Sequence, residues 1–191
     1  MSDNLYATRI PKHYFIKTAY GQSNESAINA FDRALAGLGI AHFNIMKYSS
    51  IIPKGAILIK PPKITDTLDA WGGVLEGIMS EFHGESGEVI GAAVGLGWFK
   101  DKDGTRLGGM AVEVKGNFTQ SYLEQEAIRR LEQMAQDRME KELNLGWILD
   151  KDSFQIHAIS KEIPENNHGC VLAGIYFLSW EHNPVNKLYK L

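Results

Sequence analysis

Val89-Ile-Gly-Ala-Ala-Val-Gly-Leu-Gly-Trp-Phe99, the charged turn Asp101-Lys-Asp-Gly104 and Leu107-Gly-Gly-Met-Ala-Val-Glu-Val114 read as two apolar strands joined by a hairpin. The glycines of Gly91-Ala-Ala-Val-Gly95-Leu-Gly97 fit neither a phosphate-binding loop nor a dinucleotide fingerprint. Residues this small let a sheet be packed closely. Downstream, Leu123, Ala127, Leu131 and Met134 form one stripe of a helix predicted from about Gln120 to Leu143. Upstream, Ser26 can cap a helix reaching Leu38, with Ala27, Phe31 and Leu35 at four-residue spacing and Gly37 and Gly39 ending it. Further strands are predicted at Tyr14–Tyr20, Phe43–Ser49, Ala56–Lys60, Val74–Phe82, Phe154–Ser160 and Cys170–Trp180. This order predicts an α+β fold, an αββα-type sandwich of β-sheets covered by helices, in one domain spanning 1–191.

The 191 residues are 44% hydrophobic and 23% charged, which excludes wholesale disorder. Twenty Lys and Arg against 23 Asp and Glu leave a net charge of -3, so no basic excess calls for a nucleic-acid partner. The longest apolar run, Val171 to Trp180, is interrupted by Gly174 and Ser179 and is too short to span a membrane. Met1–Tyr6 lacks a signal-peptide layout, and the lone Cys170 has no internal disulfide partner; a cytoplasmic location is expected. No Gly-x-Ser-x-Gly elbow is present, and six scattered histidines show no metal-ligand spacing.

Three polar features remain. Asp32 lies beside the apolar stripe of the first helix, where a carboxylate must sit at an edge, be paired, or face a cavity. In His42-Phe-Asn44-Ile-Met-Lys-Tyr-Ser49-Ser50-Ile-Ile-Pro53, a strand continued to Ser50 would put Asn44, Met46, Tyr48 and Ser50 on one face. In the strand ending at Val114, Met110, Val112 and Val114 form the apolar face, so periodicity turns Glu113 to solvent with Ala111 and Lys115.

Asn29-Ala-Phe-Asp32-Arg-Ala-Leu35, Gly39-Ile40, Asn44-Ile-Met-Lys-Tyr-Ser49-Ser50-Ile-Ile-Pro53 and Gly108-Gly-Met-Ala-Val-Glu113, in this order and separation, resemble the pyruvoyl-dependent arginine decarboxylases. The likeness extends over most of residues 14 to 180. It implies a precursor that cuts itself between Ser49 and Ser50 into a β chain, 1–49, and an α chain, 50–191. The Ser50 hydroxyl attacks the Ser49 carbonyl, the peptide becomes an ester, and elimination followed by hydrolysis leaves a pyruvoyl group derived from Ser50. That covalent group is the implied cofactor, with neither metal nor pyridoxal phosphate required. Arginine condenses with it as an imine, loses CO₂, and leaves as agmatine after reprotonation and hydrolysis.

The resemblance also implies roles for the polar features. Glu113 is the candidate acid, Asn44 a hydrogen-bonding partner near the serine pair, and Asp32 the acceptor of the arginine guanidinium. Family members form trimers with active sites between protomers, and trimers that pair would give hexamers. A neighbouring protomer covering the Glu113 face would reconcile its role with its periodicity. Ile52 stands where the family often has Met, and His42-Phe43 replaces smaller or more polar residues, so lysine or ornithine stays open as substrate beside arginine. Two other readings are a non-enzymatic, unprocessed binding domain of the same fold and, less favoured, a hydrolase using Ser50 directly.

Overall fold

The computed structural model describes residues 9–61 and 71–182. Residues Met1–Tyr6, on which the signal-peptide reading rests, lie outside them. Nine strands and three helices follow in chain order: β1 Arg9–Ser23, α1 Ala27–Leu38, β2 Asn44–Lys47, β3 Ile51–Ile52, β4 Ile57–Leu58, β5 Val74–Glu85, β6 Val89–Lys100, β7 Arg106–Gly116, α2 Gln120–Arg138, α3 Glu140–Asn144, β8 Ile148–Glu162 and β9 His168–His182. They build two sheets, one ordered β2-β5-β9-β1-β4 and the other β3-β7-β6-β8.

The sheets face each other across an apolar layer that includes Ile52, Ile78, Val94, Ala111, Ile175 and Phe177. On the outer side of the first sheet, Ala30, Ala34, Leu35 and Leu38 of α1 pack on Phe15, Leu75, Met79 and Tyr176. On the outer side of the second, Leu123, Ala127, Leu131 and Ala135 of α2 pack on Ala93, Val112 and Val114. The layers therefore run α1, sheet, sheet, α2, the sandwich expected from the sequence. Burial of a leucine as complete as that of Leu123 or Leu131 contributes roughly 1.5–3 kcal/mol.

The caps fall where the sequence places them. The Ser26 hydroxyl accepts from the Asn29 N–H at 3.1 Å, and Gly39 closes α1 in the left-handed conformation. The hairpin turn is closed by the Asp101 carboxylate, which accepts the N–H groups of Asp103 and Thr105 at 2.9 Å. The second helix stops at Arg138 rather than running to Leu143, and α3 takes a new direction after Met139. Met139, the next residue of the stripe, still packs against the apolar layer at the helix end, and beyond the break Leu143 packs there with Trp147. The strand predicted to end at Ser49 ends at Lys47, which matters for the site below.

Two glycines set the layer spacing. A Cβ on Gly91 would lie 2.4 Å from Leu123 Cδ1, and one on Gly21 would lie 2.1 Å from the Ala30 carbonyl oxygen and 2.3 Å from the Ala34 nitrogen. Backbone cannot yield as a side-chain tip can, so α1 rests directly on β1 only because Gly21 lacks a side chain. Gly21→Ala should destabilise the fold by about 1–3 kcal/mol, lowering the thermal midpoint by several degrees. Gly55→Ala, where an added Cβ meets nothing within 4 Å, should leave the midpoint nearly unchanged. Thermal unfolding of the two variants checks the contrast.

Candidate active site

The chain changes sheets at the serine pair. Strand β2 runs parallel to β5 in the first sheet, and the Tyr48 N–H still donates to the Gly77 carbonyl at 2.8 Å. Strand β3 runs antiparallel to β7 in the second sheet, and the Ser50 carbonyl already accepts from the Ala111 N–H at 2.7 Å. Between these two bonds stands one residue, Ser49. Among the described residues neither its N–H nor its carbonyl is taken by a hydrogen bond. The peptide joining Ser49 to Ser50 thus spans the gap between two rigid sheets with its carbonyl oxygen outside either ladder.

Side-chain direction follows from the register. Ile51 pairs with Met110 and Ile52 with Gly109, so Ser50 lies opposite Ala111. Ile52 and Ala111 are fully buried in the layer between the sheets, and by alternation the Ser50 side chain projects to that same side. Glu113, two residues beyond Ala111, shares this face. It is the diagonal neighbour of Ser50, a separation of about 7–8 Å that a long side chain can bridge.

The solvent-facing expectation for Glu113 holds for its side chain, which is exposed at the end of a partly covered face. Met110, Val112 and Val114 lie beneath α2, and on the other face Ala111 lies beneath the first sheet while Glu113 and Lys115 are exposed. The carboxylate sits at the rim of the inter-sheet layer, where β2 has left the edge of β5, near the Met79 N–H. One flank stays open to solvent. Burial raises the Glu113 pKa above its ordinary value, opposed by Lys47, Lys115 and the Met79 N–H. Lys47 is itself engaged by Glu81 at 2.8 Å, and Glu81 also binds His83 at 2.9 Å.

Asn44 and Asp32 are not brought to this point. The face shared by Asn44 and Met46 continues to Tyr48, whose ring enters the inter-sheet layer, but the strand does not extend to Ser50. Asn44 lies three extended residues before Lys47, about 10 Å back along an open edge, where its side-chain amide donates to the Gly72 carbonyl at 2.9 Å. Asp32 is exposed on α1, the outermost layer, and its carboxylate makes no hydrogen bond among the described residues.

Sequence reasoning missed Tyr48, Glu76 and Arg9. The Tyr48 hydroxyl donates to Glu76, which lies in the inter-sheet layer with only 4% of its surface exposed. Arg9 reaches both oxygens of the same carboxylate. Only the alternation of β5 could have hinted at Glu76, because it falls on the same inward face as Ile78 and Ser80. Among the described residues no three His, Cys, Asp or Glu side chains converge as a metal site would require, and no helix is long and apolar enough to cross a membrane.

The register thus puts the Ser50 side chain on the same face as a carboxyl of raised pKa, next to a carbonyl outside either ladder. A family model described as pyruvoyl-dependent arginine decarboxylase matches residues 13–182. The pyruvoyl-dependent arginine decarboxylase of Methanocaldococcus jannaschii is 29% identical over 173 residues, covering 85% of this chain and 92% of that protein. The pyruvoyl-dependent arginine decarboxylases AaxB of Chlamydia muridarum and Chlamydia caviae are 29% and 27% identical, each covering 93% of this chain and 95% of the relative. The chain belongs to the pyruvoyl-dependent arginine decarboxylase family. Its covalent group fits the residues present, since Ser50 carries the required hydroxyl, is half-buried, and follows a carbonyl free of ladder bonding.

The raised Glu113 pKa has a measurable sign. Folded Glu113 keeps its proton to higher pH than an unfolded glutamate, so its contribution to stability is present below the ordinary glutamate value and lost as pH rises through the folded value. In urea melts of uncleavable Ser50→Ala protein across about pH 4 to 7, adding Glu113→Gln should give a stability difference that grows in favour of the glutamine variant as pH rises. A difference flat with pH would place the carboxyl in water.

Proposed function

We propose that this chain is a self-processing arginine decarboxylase that cuts between Ser49 and Ser50 and uses the group formed at Ser50 to convert L-arginine to agmatine and CO₂. The observation carrying this reading is the isolation of Ser49 between two ladders, with the Ser50 side chain on the same face as Glu113. Residue 48 is tied to one sheet and residue 50 to the other, so the attacked carbonyl and the attacking hydroxyl have little freedom to move apart. Such orientation replaces entropy that an unconstrained chain would have to lose on reaching the transition state. The product chains, 1–49 and 50–191, stay associated because β1 lies between β9 and β4 in the finished sheet.

Once formed, the pyruvoyl group supplies a carbonyl that takes the amino group of arginine and accepts the electron pair released with CO₂. Glu113 returns a proton to the α-carbon, a role served by the burial that raises its pKa. Asp32 accepts two parallel N–H bonds from the guanidinium, and Asn44 hydrogen-bonds beside the reacting group. Both lie away from Ser50 in a single chain, so they serve the site of a neighbouring copy in a homotrimer.

Three features support that assembly. The edges of both sheets, β2 and β3, lie open beside the crossover. Met46, Ile51, Trp71 and Val74, on or beside these edges, are exposed large apolar residues. Ile28, one turn before Asp32 on α1, is 73% exposed.

Self-cleavage is checked on a denaturing gel. Wild-type protein should run as two fragments, and Ser50→Ala as one chain without decarboxylase activity. A single unbroken chain in fully active wild-type protein would overturn the reading. For the second half, Asp32→Asn should raise KM for arginine at least tenfold while cleavage persists, and Glu113→Gln should lower kcat by about 10²–10⁴. Co-refolded mixtures of these two variants, assayed at low arginine, should exceed the activity of either alone, since mixed trimers contain sites with both residues intact. No recovery would place Asp32 and Glu113 in the same chain's site.

A further inference from the structure

Tyr48 stands immediately before the serine pair, and its side chain is held more firmly than a strand end requires. Its hydroxyl donates to Glu76 Oε2, and its ring lies 5.6 Å from that of Phe177 in a tilted stack. Glu76 is nearly inaccessible and receives Arg9 in bidentate fashion, Nη1 to Oε1 at 3.0 Å and Nη2 to Oε2 at 3.1 Å. The Arg9 guanidinium lies 4.5 Å from the centre of the Trp180 ring. The Trp180 indole N–H is buried beside the Tyr48 hydroxyl. A carboxylate this deeply buried is retained at a cost unless its partners are fixed. Here one of those partners is Tyr48, the residue before the serine pair.

We propose that Arg9, Glu76 and Tyr48 form a positioning network for self-cleavage, holding residue 48 so that the Ser49 carbonyl stays within reach of the Ser50 hydroxyl. The inference rests on the self-processing reading above and adds residues outside its reacting groups. Without the side-chain anchor, residue 48 is tied to the first sheet by one described backbone bond, Tyr48 N–H to Gly77. The Ser49 peptide could then swing about that single point. Reacting atoms must approach to about 3–3.5 Å, and a misplacement near 1 Å can cost on the order of 10²-fold in rate. Burial, then the hydrogen bond to Glu76, raises the Tyr48 pKa, so its hydroxyl remains a donor to the carboxylate. Arg9 and Tyr48 belong to the segment before the cut and Glu76 to the segment after it, so the network spans the break that it helps to make.

The test follows the first-order loss of freshly folded full-length chain on denaturing gels. Tyr48→Phe keeps the ring against Phe177 and removes only the hydroxyl, and it should slow cleavage roughly 10- to 100-fold. Glu76→Gln should slow it similarly, and the double variant should be no slower than the slower single, as members of one network behave. Arg9→Lys should keep more of the rate than Arg9→Met. The same substitutions in the Ser50→Ala background report folding without cleavage, and there Tyr48→Phe should shift the thermal midpoint by no more than a few degrees. Tyr48→Phe cleaving at the wild-type rate would overturn the proposal, as would losses that multiply in the double variant or track the fall in midpoint. Absence of cleavage in wild-type protein would instead overturn the self-processing reading itself.

Discussion

A single residue, Ser49, carries the chain from one sheet to the other, and the hydrogen bonds on either side leave its carbonyl outside both ladders. Most of the structure can be understood as holding that crossover still. A peptide within a ladder has its carbonyl occupied and its neighbours extended, which protects it from attack by the next side chain. A peptide in a mobile loop has a free carbonyl but no fixed geometry. Placing one residue between two sheets combines a free carbonyl with anchored flanks, and self-cleavage requires both.

The anchors are only as good as the sheets they join. The glycines and alanines of β6 let α2 lie against the second sheet, and Gly21 lets α1 rest on the first. The close-packed layer between the sheets then fixes their separation. Ser80 adds a polar tie across that layer, its hydroxyl donating to the Val114 carbonyl at 2.7 Å. Val114 is the residue after Glu113, so this bond holds the sheets together beside the candidate acid. Small residues far from the serine pair thereby control how far apart its two anchors stand.

The sandwich was legible because each element carries a local signal. Ser26 and Gly39 bracket α1, Asp101 and Gly104 close the hairpin, and the runs of β6 and β9 are long and apolar. The serine pair and its companions were legible only as a family pattern, since Ser-Ser before Ile-Ile-Pro means little as local chemistry. Alternation places Glu113 on the exposed side, but it cannot show that the same face is covered by a sheet at Ala111. One face of β7 lies under a helix, and the other lies under a sheet at Ala111 and opens to solvent from Glu113 on. The Arg9–Glu76–Tyr48 network left little trace in the sequence, because its members sit on two strands and just after a third, and two of them are 67 residues apart.

The electrostatics around Glu113 show what covering it would change. In the single chain burial pushes the carboxyl towards its neutral form, while Lys47 and Lys115 pull it towards the charged one. Lys47 spends much of its charge on Glu81, and Lys115 is exposed, so solvent screens its influence. A neighbouring protomer seated on the open edges would remove water from the remaining flank of Glu113. That change strengthens the desolvation that keeps the proton on. It would also strengthen the pull of any lysine covered along with it, because charges interact more strongly where water is excluded. The balance then depends on Lys47 staying paired with Glu81 once the edge is covered. The carboxylate that matters most to Glu113 is therefore Glu81, which pairs with the cation acting most strongly on it and leaves burial to hold its proton.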